Sequence, residues 1–205
     1  MIGIVGHVDR LAMVQELAGQ TGAECVSIDD GTLGCERNHL KVWQHLADHN
    51  TDEWSIVLED DAIPCTNFRD QLEQALAAAP APIVSLYLGT GHPVHWQPRI
   101  AQAIESAGNA NWLTHHKLLH AVGVATRTDL LPLSLNTNGV PIDSAISNWA
   151  VQQGHQVAYT LPSLVDHTDI TSVITKRHNN RARTNPRKAW RHGTRDQWTQ
   201  EAVPL

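Results

Sequence analysis

The chain has 205 residues, 41% of them hydrophobic, and a formal net charge of -6, which fits one globular domain with a sizeable core. No apolar run approaches membrane-spanning length, and the opening Met1-Ile2-Gly3-Ile4-Val5-Gly6 lacks the basic and long apolar regions of a secretion signal. Cys25, Cys35 and Cys65 form neither a CxxC motif nor a disulfide framework, so a membrane protein and a disulfide scaffold are excluded and a reducing cytoplasm is expected.

In chain order, Ile2 to Val5 reads as a strand, Leu11 to Leu17 as a helix and Glu24 to Ile28 as a second strand that ends at Asp29-Asp30-Gly31. Gly34 to Ala47 has helical spacing, with Leu40, Val42, Trp43 and Leu46 on or near one face. Trp54 to Leu58 is a short apolar strand, followed by Glu59-Asp60-Asp61 and then by a helix from Asn67 to Ala79 that Pro80 and Pro82 stop. Further strands are expected at Ile83 to Leu88, Ala121 to Ala125 and Gln156 to Tyr159. Further helices are expected from Pro98 to Ala107 and from Asp143, as N-cap, to Gln153. Helices alternating with strands in this way predict an α/β sandwich with a mostly parallel central sheet. Gly3-Ile4-Val5-Gly6 is not a full GxGxxG, which argues against a dinucleotide dehydrogenase. His115, His116 and His120 contain an i, i+4 pair, but the strand-like run into Val124 separates them as zinc ligands.

The most informative segment is the strand that runs into Glu59-Asp60-Asp61. At the carboxyl end of a buried strand, three adjacent carboxylates emerge where an open α/β sheet forms its ligand crevice. They repel one another unless solvated or holding a cation, and an all-oxygen cluster suits Mg²⁺ or Mn²⁺. A solvated acidic loop ahead of the next helix is the plain alternative.

Gly34-Cys35-Glu36-Arg37-Asn38-His39, then Trp43, then the strand into Glu59-Asp60-Asp61 together resemble the lipopolysaccharide-type family 25 glycosyltransferases and related phage-encoded enzymes. Asn38 departs from the serine usual in that family, and the likeness continues more loosely through Pro141-Ile142-Asp143 and Pro162 to His167. The resemblance implies a three-layer, Rossmann-like domain of GT-A type over residues 1–175 that binds a nucleotide sugar, with a UDP-sugar foremost, and the host cytoplasm if the chain is phage-encoded. It implies a Mn²⁺ or Mg²⁺ ion held by Asp61 and Asp60, with Glu59 facing the ribose or the sugar. It also implies inversion, for which Asp143 is the candidate base on the acceptor hydroxyl; capping its helix is the other role open to it. His167 is a candidate further metal ligand or a loop histidine. His39 matches the family's histidine and is expected to line the donor site. Asp29 and Asp30 could receive a uracil or ribose edge, and His7 and Arg10 the base or phosphates, or all four could serve ordinary turns and helix starts.

Residues 176–205 read as a basic C-terminal arm. Lys176 to Arg195 holds eight of the fifteen basic residues and no acid, so the segment from residue 176 carries +6 and the first 175 residues -12. Cations interleaved with Trp190 and Trp198 fit phosphates and stacked bases, so DNA is a possible acceptor through Lys176–Arg195, as a hydroxymethylated base flipped from the duplex. The same arm could instead pack on the acidic body. A glycan or protein hydroxyl is the alternative acceptor. A non-catalytic nucleic-acid-binding protein and a metal-dependent hydrolase using His92 or His95 are the competing functions. Oligomeric state is not encoded in any recognisable motif.

Overall fold

The computed structural model describes residues 1–170 and 186–205. An eight-stranded sheet is built from β1 (Ile2–His7), β2 (Cys25–Asp29), β3 (Trp54–Glu59), β5 (Ile83–Ser85), β6 (Trp112–His115), β7 (Gly123–Arg127), β8 (Val157–Thr160) and β10 (Ala202–Pro204). A two-stranded sheet pairs β4 (Ala62–Pro64) with β9 (Val165–His167). The order in the large sheet is β10-β6-β8-β5-β7-β3-β1-β2. Strands β2, β1 and β3 are mutually parallel, as are β5 and β8, while β7 runs antiparallel to both β3 and β5. The expected Rossmann-like, mostly parallel sandwich is therefore present, with a reversed strand in its middle.

Five helices cover the two faces: α1 (Leu11–Thr21), α2 (Cys35–His49), α3 (Phe68–Ala77), α4 (Gln97–Ser106) and α5 (Ile142–Gln153). The alternation of side chains along each strand sorts the core into two layers. Val57 and Val124 point to one side, with Val42, Trp43 and Leu46 of α2, Ile100 of α4 and Ile146 of α5. Ile56, Leu58 and Ala125 point to the other, with Val14 and Leu17 of α1 and Phe68 and Leu72 of α3. Both faces of the central strands are apolar for this reason, as expected for a largely parallel sheet covered on each side.

The glycines of the first strand set how closely these layers approach. A Cβ on Gly3 would lie 2.4 Å from Cγ1 of Val42, and one on Gly6 would lie 2.5 Å from Cγ2 of Val14. Gly3 thus lets α2 settle on the sheet, and Gly6 does the same for α1.

The described end of the basic segment is stitched into the body. Strand β10 pairs in parallel with β6 at the sheet edge, and the Trp198 ring lies 5.3 Å from that of Trp112. Gln71 exchanges two hydrogen bonds with the Arg195 backbone and accepts a third from the Trp198 indole. The Arg195 guanidinium donates to the carbonyls of Leu161 and Ala110, the Lys188 ammonium to that of His167, and Arg191 to that of Ile104. These cations are engaged with the protein itself; Lys176 to Arg183 lie outside the described residues. Among the described residues, no helix is long and apolar enough to cross a membrane.

Overpacking at the β1–α2 contact should be costly. Gly3→Ala is expected to lower stability by about 1–3 kcal/mol, measured as a lower urea midpoint with an unchanged denaturant slope.

Candidate active site

The carboxyl ends of three parallel strands meet at one point. Register places His7 of β1 beside Asp29 of β2, and Val5 of β1 beside Glu59 of β3. Above these ends opens a cavity of about 520 Å³, within the range of small-molecule and cofactor sites. His7, Arg10, Asp29, Glu59, Asp60, Asp61, Asp143 and His167 all line it, so residues from opposite ends of the chain converge there. His39 and Asp30, two of the expected site residues, do not line it.

Asp60 and Asp61 are both buried, and a single atom links them: Nη1 of Arg10 donates to Oδ1 of Asp60 and to Oδ2 of Asp61, each at 2.7 Å. Oδ2 of Asp60 also accepts the His7 backbone N–H at 2.8 Å. Asp61 turns Oδ2 towards Nε2 of His167 at 3.4 Å, and its Oδ1 is buried with no hydrogen-bond partner. Burial, and after it the charge of Glu59, pushes the Asp61 carboxyl above its ordinary range, against the pull of His167 and Arg10. Pairing of β4 with β9 sets Ala62 opposite His167, which is how the far end of the chain reaches Asp61.

The fit to a divalent cation can be judged from these contacts. A buried carboxylate oxygen lacking a donor, beside two further acids, is suited to Mg²⁺ or Mn²⁺. His167 is suited to a different task from the one expected. Its Nδ1 accepts the Asp169 backbone N–H at 2.8 Å, so in the neutral ring the proton sits on Nε2, directed at Asp61. In this arrangement His167 orients Asp61 rather than offering a lone pair to an ion.

Other expected residues make bonds within the protein. Asp29 accepts backbone N–H bonds from Gly31, Leu33 and Gly34, shaping the loop into α2. Burial alone would raise its pKa, but these donors hold it below the usual carboxylate range. Asp30 is exposed and held below its usual range by the Thr32 hydroxyl and backbone N–H. His39 is buried beneath the cavity floor and bonds Oε1 of Glu59 at 3.1 Å, so it positions that acid. Asn38, the departure from the family pattern, is also buried: its amide donates to the carbonyls of Gly6 and Ser27, tying β1, β2 and α2 together. Asp143 is not the N-cap, since Pro141 holds that place; it sits in the first turn of α5, where its carboxylate accepts the Ser144 N–H.

Tyr87, His120 and Arg187 line the cavity without having been anticipated. The Tyr87 hydroxyl donates to the Arg187 carbonyl at 2.6 Å, and burial raises its pKa far above the ordinary value. Tyr87 and His120 meet edge to face at 5.0 Å. A basic tail and a lone tyrosine carry no spacing that betrays such convergence; Arg187 was visible only as one of several cations. His92 lines the cavity too, whereas His95 does not. His115 ends β6, so no helix joins it to His120.

Residues 21–107 match glycosyltransferase family 25 (LPS biosynthesis protein). This region is family 25-like. The match spans β2 through α4, includes Glu59, Asp60 and Asp61, and supports a glycosyltransferase. No curated protein matches the chain.

The Nε2 of His120 lies 2.7 Å from the His92 carbonyl, and burial pushes its pKa from 6.5 down to about 4. The unfolded chain therefore takes up a proton that the folded chain refuses between these values. Stability should fall as pH drops from about 6.5 towards 4, by at most about 1.4 kcal/mol per pH unit from this group. Urea unfolding across that range should give a shallower pH slope for His120→Asn; identical slopes would contradict the assignment.

Proposed function

We propose that the chain moves a sugar from a nucleoside-diphosphate sugar, a UDP-sugar foremost, to an acceptor hydroxyl with inversion. The observation that carries the reading is the convergence of Asp60, Asp61, Arg10, Arg187 and Asp143 on one cavity within reach of a family 25-like segment. Breaking the sugar–phosphate bond leaves added negative charge on a diphosphate, which the acidic floor by itself would repel. Arg10 and Arg187 supply cationic groups on this cavity, suited to hold the phosphates. Asp61, through Oδ1, and Asp60 are the residues that would hold Mn²⁺ or Mg²⁺, which when bound screens the diphosphate charge as a Lewis acid. Glu59, fixed by His39, is suited to accept from a ribose or sugar hydroxyl. Asp143 takes the proton from the attacking hydroxyl.

Asp143→Asn should lower kcat by about 10²–10⁴-fold with little change in KM for the donor. In a thermal-shift assay, UDP with Mn²⁺ should raise Tm more than either alone, because ligands specific for the folded state stabilise it by mass action. Asp61→Asn should abolish the added effect of Mn²⁺. Equal shifts with and without the ion in the unmodified chain would remove the metal from the reading.

The acceptor we favour is a hydroxymethylated base in DNA, reached through Lys176, Arg177, Arg181 and Arg183. Its support is the run of cations without an intervening acid. Because β10 and Trp198 belong to the body, the test is charge removal, not truncation. Replacing those four residues with Gln should weaken DNA binding and flatten its salt dependence while sparing hydrolysis of the nucleotide sugar. Unaltered DNA binding would favour a glycan or protein hydroxyl.

A further inference from the structure

Cys35 is left unused by this chemistry, yet it stands beside two residues that the chemistry does use. Cys35 and His39 lie four residues apart at the start of α2, on adjacent turns of one face, and Glu59 ends β3 beside them. One ligand atom from each of the three lies within 4.8 Å of the other two. Among the described residues, this is the group of three metal-ligating side chains that meets such a spacing. Asp60 and Asp61, splayed around the Arg10 guanidinium, do not form one with His167.

The geometry points to a second, thiophilic metal site on Cys35, His39 and Glu59, with Zn²⁺ as its ion. The donor set is one sulfur, one imidazole nitrogen and one carboxylate oxygen, the mixture that zinc accepts and Mg²⁺ does not favour. Ligand atoms around a tetrahedral zinc, with bonds of about 2.0–2.3 Å, stand roughly 3.3–3.7 Å apart. The 3.1 Å separation of His39 Nε2 and Glu59 Oε1 is close to that span. His39 is almost wholly buried, so its Nε2 is held facing Glu59. Cys35 and Glu59 line the cavity, which gives an ion its entry path. Binding exchanges the Cys35 thiol proton for a sulfur–metal bond and releases one proton to solvent. Three protein ligands leave a fourth position for water.

The site shares Glu59 and His39 with the transfer reading, but its test needs no nucleotide sugar. The full chain, stripped of metal with a chelator, is titrated with Co²⁺ as a spectroscopic probe for Zn²⁺. A sulfur-to-cobalt charge-transfer band that saturates at one equivalent and is displaced by Zn²⁺ is expected. The band should vanish in Cys35→Ser and persist in Cys25→Ser and Asp61→Asn. Absence of the band from the unmodified chain, or its survival in Cys35→Ser, would overturn the assignment. Should Cys35→Ser fail to fold, thiol alkylation of the unmodified chain decides: Zn²⁺ should slow labelling of Cys35 at least tenfold relative to Cys25, and equal rates refute the site.

Discussion

The site depends on one arginine nitrogen that holds two adjacent buried carboxylates. Asp60 and Asp61 leave β3 together, both shielded from solvent, and a buried charge is tolerated only when it is paired and hydrogen-bonded. Arg10 meets both with one nitrogen, and it can do so because β1 is parallel to β3 and delivers the next turn of chain over the same edge. Arg10 brings one positive charge against two aspartates, with Glu59 adding a third acid. The compensation is partial: burial, and after it the Glu59 charge, still raises the Asp61 pKa, and one Asp61 oxygen has no donor. A floor in this state is rigid, because its contacts come from strand ends, and it still favours an incoming cation or the cationic side of a bound ligand.

Support for the floor comes from side chains bonded to the backbone or to one carboxylate. Asn38 holds the carbonyl ends of two strands against α2, His39 holds Glu59, and Asp29 draws three backbone donors into the loop before α2. The segment from Asp29 to His39 is thus a brace that spaces the ends of the first three strands. The Asn38 amide nitrogen and His39 Nε2 are engaged in this way, while Asn38 Oδ1 and His39 Nδ1 are buried without a hydrogen-bond partner.

Sequence reasoning reached the sandwich, the five helices and the acidic crevice, because these rest on local signals: alternating apolar runs, Pro and Gly stops, and an acidic cluster closing a strand. It missed β4, β6, β9 and β10, whose lengths of three or four residues leave no periodicity to detect. The integration of residues 186–205 was hidden for the same reason, since Trp198 and Gln71 recognise each other across more than a hundred residues. Of the site residues, those at strand ends were readable from position. The division of labour was not: that Asp29 shapes a loop, that His39 lies below the floor and that His167 faces Asp61 with a proton are facts of tertiary hydrogen bonding.

The reversed strand has a consequence for how such a pocket can diversify. Because β7 runs against β3, the chain reaches the cavity as it enters β7, and the Val122 carbonyl receives the Glu59 N–H at that rim. Leu119, His120, Ala121 and Val122 therefore form a wall that is built separately from the acidic floor and lies beyond residue 107, where the family match ends. Insertions or exchanges in that wall can retailor which molecules fit while the charged machinery stays as it is, so related chains can share one reaction and differ in what they accept.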